Sequence, residues 1–343
     1  MHRRAFVRAI AAGLAAPLLG RGRVAHAELS APSVEELPAL KGELTLYLGQ
    51  GEGGLYERVL DAIEERNPEF TLHIRRGPTA GLANAIVAEG RAGARRADVF
   101  WAVDSGAIGL VGEAGLAQPL PADLTGQLRP EFRYDRWAPV AGRIRTLPYH
   151  TPRIPADGLP TDIMALPASG LRLGWAPAYG AFQSFLTAMR LLEGDDATAA
   201  WLQAMEPQAK TYAGELGVVL GVERGEIDAG LANHYYTMRL KAGKPDAEVA
   251  MAFTRNDAGC LINASGILAL APGDLAVDFI RYLFTRQVQS FLASEAYEIP
   301  LANGVSPPSG LPDLDDIAPP RVDLARLADL RPTLDLMRHA GVL

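Results

Sequence analysis

Glu43-Leu44-Thr45-Leu46-Tyr47-Leu48-Gly49-Gln50-Gly51-Glu52-Gly53-Gly54 decides the fold. Its first six residues alternate as a strand does, and the glycines that follow make a tight turn. Leu55-Tyr56, Val59-Leu60 and Ile63 then recur at helical spacing until Asn67-Pro68 stops the helix. The unit repeats downstream: residues 70–75 read as a strand, 82–89 as a helix, 97–103 as an apolar strand, and 107–114 as a helix closed by Gly115. Such alternation predicts an α/β fold, a parallel sheet with helices on both faces.

Residues 116–160 are Pro-rich and irregular apart from the strand-like Gly142-Arg143-Ile144-Arg145-Thr146-Leu147, and this stretch reads as a crossing between domains. A second α/β run follows, with a strand over 171–175, helices over 181–192 and around 197–205, and a helix–turn–strand over 218–232 that ends in Asn233-His234-Tyr235-Tyr236. A last strand over 266–270 precedes a helix over 274–284 and a terminus rich in Leu, Ala and Arg. With 343 residues, 48% of them hydrophobic, the chain is long enough for two domains.

The N-terminus carries the marks of export. Arg3-Arg4, an apolar small-residue stretch over 9–19 and the A-x-A pattern Ala25-His26-Ala27 form a signal over 1–27, with an arginine order resembling the twin-arginine type. That segment holds five Arg and no acid, so its removal takes the formal charge from −7 to −12. An acidic mature chain argues against nucleic acid and anionic membrane as partners. Cys260 is the single cysteine, so no internal disulfide forms.

Two motifs carry chemistry. Gly49, Gly51 and Gly54 satisfy G-x-G-x-x-G between a strand and a helix, and Arg75-Arg76 at the end of the next strand would suit a 2′-phosphate, so an exported NADP-dependent oxidoreductase is one reading. Against it, Gly53 adds a flexible residue and Glu52 places a negative charge where pyrophosphate would lie. The second motif is Tyr235-Tyr236, just past a strand's carboxyl end, where open α/β sheets hold ligands. Neighbours in a strand point to opposite faces, so the two rings converge only where the backbone turns, as Asn233 allows. Otherwise one ring enters the core and the other the rim.

A free phenol loses its proton near ~10, so a phenolate at neutral pH needs a hard, highly charged cation beside it. Ferric iron meets that requirement. Zinc would draw on Cys and His, whereas His73, His150, His234 and His339 are scattered. Calcium would need clustered Asp, and Asp313, Asp315 and Asp316 read as an exposed acidic loop. No G-x-S-x-G occurs, Ser265-Gly266 lacks a partner pattern, and His150 beside Tyr149 reads as a base or, more commonly for a lone His, as a hydrogen-bonded neighbour.

Taken together the residues resemble the periplasmic ferric-ion-binding proteins of ABC importers. The markers are Leu46-Tyr47-Leu48-Gly49-Gln50, Ala97-Asp98-Val99-Phe100, Glu113-Ala114-Gly115-Leu116, Arg143-Ile144-Arg145, the run from Gly225 to Tyr236, Asn263-Ala264-Ser265-Gly266 and Tyr297-Glu298-Ile299-Pro300-Leu301. The resemblance implies a type II periplasmic binding protein fold: two lobes, each a mixed, mostly parallel sheet flanked by helices, closing on cargo about a two-stranded hinge. On this reading residues 28–42 are a lead-in, 43–145 plus 262–310 form one lobe, and 146–261 plus 311–343 form the other. It further implies that Tyr235 and Tyr236 ligate Fe(3+), and that Tyr149 matches a further tyrosine ligand of one branch. Gly51 stands where many members carry His and Val103 where some carry Glu, which leaves Glu52 and Asp104 as candidate ligands. Tyr179-Gly180-Ala181 occupies the place of the Ser-Gly-Ala turn that holds a synergistic anion in phosphate-assisted members. Gly180, Ala181 and Asn233 are therefore expected anion contacts, and Tyr179 is another candidate phenolate. The implied protein is a periplasmic, non-enzymatic monomer partnered by an inner-membrane ABC permease. A small organic or phosphate-bearing anion is the alternative cargo on the same fold.

Overall fold

The computed structural model describes residues 29–49 and 54–343. The expected export signal and Glu52 lie outside the described residues, as does most of the G-x-G-x-x-G loop. In the first lobe β1 (Gly42–Gly49), α1 (Leu55–Arg66), β2 (Phe70–Gly77), α2 (Thr79–Arg91), β3 (Val99–Ala102) and α3 (Ser105–Glu113) alternate, followed by the single turn α4 (Ala122–Thr125). β1 lies between β2 and β3, parallel to both. Leu44, Leu46 and Leu48 and all of β3 are buried, as expected of a parallel sheet covered on both faces. Gly54 enters α1 with φ of 91°, a conformation that only glycine adopts without strain.

β4 (Ala138–His150) links the lobes, and it is longer than the 142–147 stretch that the sequence suggests. Pro139 and Pro148 fall inside it, residues that normally exclude a central strand. Pro139 is accommodated where the pairing register shifts between Ser265 and Gly266. The second lobe then contains β5 (Leu173–Trp175), α5 (Gly180–Glu193), α6 (Asp195–Met205), β6 (Ala209–Thr211), α7 (Glu215–Glu223), β7 (Ala229–Gly230), β8 (Ala232–Asn233), α8 (His234–Gly243) and β9 (Val249–Ala252). The chain returns to the first lobe through β10 (Ile262–Ala269), α9 (Asp274–Leu283), α10 (Arg286–Glu295) and β11 (Ile299–Pro300), and ends with α11 (Leu314–Ile317) and α12 (Leu330–His339).

The two halves of β4 belong to different neighbours. Residues 138–144 pair with β10 and β11, whereas 147–150 pair with β9 and β7. Midway, the Arg145 N–H donates to the Leu261 carbonyl at 2.9 Å, so the outgoing and returning segments run side by side. These two crossings join the two lobes. The C-terminal region touches both lobes. Leu324–Ala328 packs on α3, where a Cβ at Gly109 would come within 2.5 Å of the Ala325 carbonyl. α12 docks on α5 and α6, with the Thr187 and Thr333 hydroxyls 2.7 Å apart.

Candidate metal centre in the second lobe

The parallel strands β6-β5-β7 end together, and the chain leaving them begins α5, α7 and, through β8, α8. The amino ends of these helices share a buried polar network, described below. Each amino end carries partial positive charge from its unused N–H groups, so this region favours oxygen anions.

α8 starts directly after β8, with Asn233 as its extended N-cap at φ −70° and ψ 145°. Tyr235 and Tyr236 thus sit in the first turn of a helix. Successive side chains there diverge by about 100° rather than the 180° of a strand, and the two rings lie side by side with centroids 4.3 Å apart. The expected turn at Asn233 is a helix start. Tyr179 is the N-cap of α5, and its hydroxyl lies 2.8 Å from that of Tyr236. Three phenols therefore meet at one place.

Their environment resists lone phenolates. Burial, with Tyr235 only 4% exposed, pushes its phenol well above the usual tyrosine range, opposed by the nearby Arg143 guanidinium. Burial and then the hydrogen bond with Tyr179 raise Tyr236 as well. Cationic groups stand close, with the Arg239 guanidinium 4.8 Å from the Tyr235 ring centroid. Arg143 itself donates to Glu298, to the Val103 carbonyl and to the Tyr56 hydroxyl.

Behind the rings, His234 is fully buried. Its Nδ1 accepts from the Ile144 N–H at 3.2 Å and its Nε2 donates to the Tyr297 carbonyl at 2.6 Å, so the ring is neutral. Burial outweighs these bonds and holds its pKa down to about 4. A histidine ordinary when unfolded and depressed when folded contributes stability that is complete above about pH 6.5 and lost as pH falls toward 4, on the order of 3 kcal/mol. We expect the apo-protein's thermal midpoint to drop more steeply between pH 7 and pH 4.5 than that of His234→Gln, which calorimetry at the two pH values would measure.

The other sequence candidates are placed differently. Tyr149 is buried on β4, in register with Ala229 and Ala250, and among the described residues no hydrogen bond or ring contact joins it to Tyr179, Tyr235 or Tyr236. Asp104 caps α3 by accepting from the Ala107 N–H at 3.0 Å, and burial raises its pKa against that bond and the pull of Arg143. Gly180 and Ala181 occupy the first two positions of α5, where N–H groups have no intrahelical partner. The Asn233 N–H is taken by Glu215 at 2.8 Å. Arg75, weighed as a 2′-phosphate contact, donates to the Tyr47 hydroxyl at 2.8 Å, and Arg76 pairs with Glu57. Among the described residues no cluster of three His, Cys, Asp or Glu could hold a metal. Glu215 is a site residue with little trace in the sequence, its only signal being the missing acid for two arginines, Arg143 and Arg145, spaced two apart in an apolar strand.

Residues 44–298 match the family described as bacterial extracellular solute-binding protein. The chain belongs to that family. This solute-binding protein is 31% identical over 281 residues to the Fe(3+)-binding periplasmic protein of Serratia marcescens, covering 79% of this chain and 82% of that one. It is 28% identical over 331 residues to the major ferric iron-binding protein of Neisseria meningitidis, 93% and 98% of the two chains. Iron-bound HitA from Pseudomonas aeruginosa superposes with a TM-score of 0.77 at 27% identity, over 89% of this solute-binding protein and all of HitA. No helix among the described residues is long and apolar enough to cross a membrane.

Proposed function

We propose that this solute-binding protein carries ferric iron outside the cytoplasm to an ABC permease, holding it between its lobes through the phenolates of Tyr179, Tyr235 and Tyr236. The observation that carries this reading is the meeting of the three phenols at the carboxyl ends of the second lobe's sheet, with Tyr179 and Tyr236 oxygens 2.8 Å apart. Charge bookkeeping selects the cation. Replacing three phenol protons by one trivalent ion leaves the net charge unchanged, so the burial that opposes a lone phenolate does not oppose the complex. A divalent ion would leave a buried negative charge, which is costly. The ferric-binding relatives support the same cargo.

In this reading Tyr179, rather than Tyr149, is the third tyrosine. Asp104 is the ligand supplied by the first lobe, and the Gly180 and Ala181 amides with the Asn233 side chain take a synergistic anion. Closure about Arg145 and Leu261 then excludes water. Mature protein mixed with ferric citrate should develop a visible phenolate-to-iron charge-transfer band. The double variant Tyr235→Phe, Tyr236→Phe should not, and persistence of the band there would refute the assignment. Tyr179→Phe should shift the band, whereas Tyr149→Phe should leave it in place.

A further inference from the structure

Arg145 and Glu215 form an ion pair whose side chains are 2% and 0% exposed. The pair reaches into both segments that carry the three clustered phenols. Arg145 Nη1 donates to Glu215 Oε1, and Nη2 donates at 2.7 Å to the carbonyl of Ala181, two residues past Tyr179. Glu215 Oε2 accepts at 2.8 Å from the N–H of Asn233, two residues before Tyr235. The backbone of Arg145 is fixed on both sides, by Leu261 in the second crossing and by its register with Asn233 in β8. Its guanidinium also lies 5.3 Å from the Phe185 ring centroid in α5.

Burying such a pair carries a desolvation cost, and apolar residues of similar volume would commonly serve stability as well. Apolar residues cannot accept from Asn233 and donate to Ala181 at once. We infer that the Arg145–Glu215 pair is a positioning device for the cargo: it sets the start of α5 against the start of α8, hence Tyr179 against Tyr235 and Tyr236, and fastens both to the hinge strand. Lobe closure then meets a preformed set of oxygens. The inference rests on the phenolate reading above.

A double-mutant cycle tests it, with ferric retention against citrate and the charge-transfer maximum as readouts. Glu215→Gln keeps the shape and loses the charge and one acceptor. It should weaken retention by about 10- to 100-fold, the usual effect of disturbing groups that orient metal ligands, and shift the band toward that of Tyr179→Phe. Within a Tyr179→Phe background the same substitution should change retention by no more than about twofold, since the two residues act through one contact. Arg145→Lys, which keeps the charge but not the forked reach, should lose less than Glu215→Gln. Equal losses in both backgrounds, or no loss in the first, overturn the inference. If Glu215→Gln does not fold, Arg145→Lys takes its place in the cycle under the same criteria. Failure of the wild type to show the band brings down the phenolate reading itself, whereas a wild-type band with a flat cycle brings down only the positioning role.

Discussion

Ferric loading should weaken about a thousandfold for each pH unit below neutrality, because each of three ligating phenols gives up a proton to the solvent when iron enters and must take it back when iron leaves. The sign follows from the direction of the shifts. Burial holds the Tyr235 proton more tightly than in a free phenol, despite Arg143, and burial together with the Tyr179 hydrogen bond does the same at Tyr236. Both groups are therefore protonated in the empty protein throughout the neutral and acidic range, and the slope does not flatten there. Acid favours the empty form; alkali favours the loaded one. Citrate competition between pH 7.5 and pH 5.5, corrected for citrate's own protonation, reads the slope directly. A slope of about three counts Tyr179 among the ligands and a slope of about two excludes it. A flat profile would mean that phenols do not hold the cargo.

How much of this is legible in the sequence follows from where the stabilising contacts lie in the chain. The alternation over 42–113 could be read because β1 and β3 are buried by helices adjacent in sequence, so each element's apolar period reports its own burial. β4 was half legible. Its partners β9, β10 and β11 come from about a hundred or more residues downstream, and Pro139 and Pro148 argue locally against a strand that distant pairing imposes. α8 left little trace, since its buried residues His234, Tyr235, Thr237 and Met238 mix polar with apolar. The convergence of Tyr235 and Tyr236 could be stated only as a condition on the backbone at Asn233, which the helix start fulfils. Tyr149 lies next to the crossing in sequence, yet β7 and β9 enclose it, whereas Tyr179 reaches Tyr236 across the order of the second lobe's strands. No local pattern links residues 57 apart.

Arg145→Met should be among the most destabilising single substitutions in the second lobe. Methionine fills much of the space and can remain against Phe185, so the loss is not one of packing. What changes is that Glu215, fully enclosed, keeps the Asn233 N–H and loses its guanidinium. Removing one partner of a buried pair typically costs about 3–5 kcal/mol. For a chain of this size that corresponds to roughly 4–8 °C in thermal midpoint, measurable by calorimetry on the iron-free protein. Removing both charges is a different experiment. Arg145→Met with Glu215→Leu abolishes the uncompensated carboxylate and should recover most of the lost stability, less the ~1–3 kcal/mol of an unsatisfied Asn233 N–H. The double variant should nonetheless hold ferric iron weakly, because neither new side chain can bond to Ala181 and Asn233 together. A double variant that is stable and binds iron as the wild type does would make the pair a stability element alone. One that is stable and binds poorly separates the two roles and leaves the geometry of the phenols as the reason for burying two charges beside them.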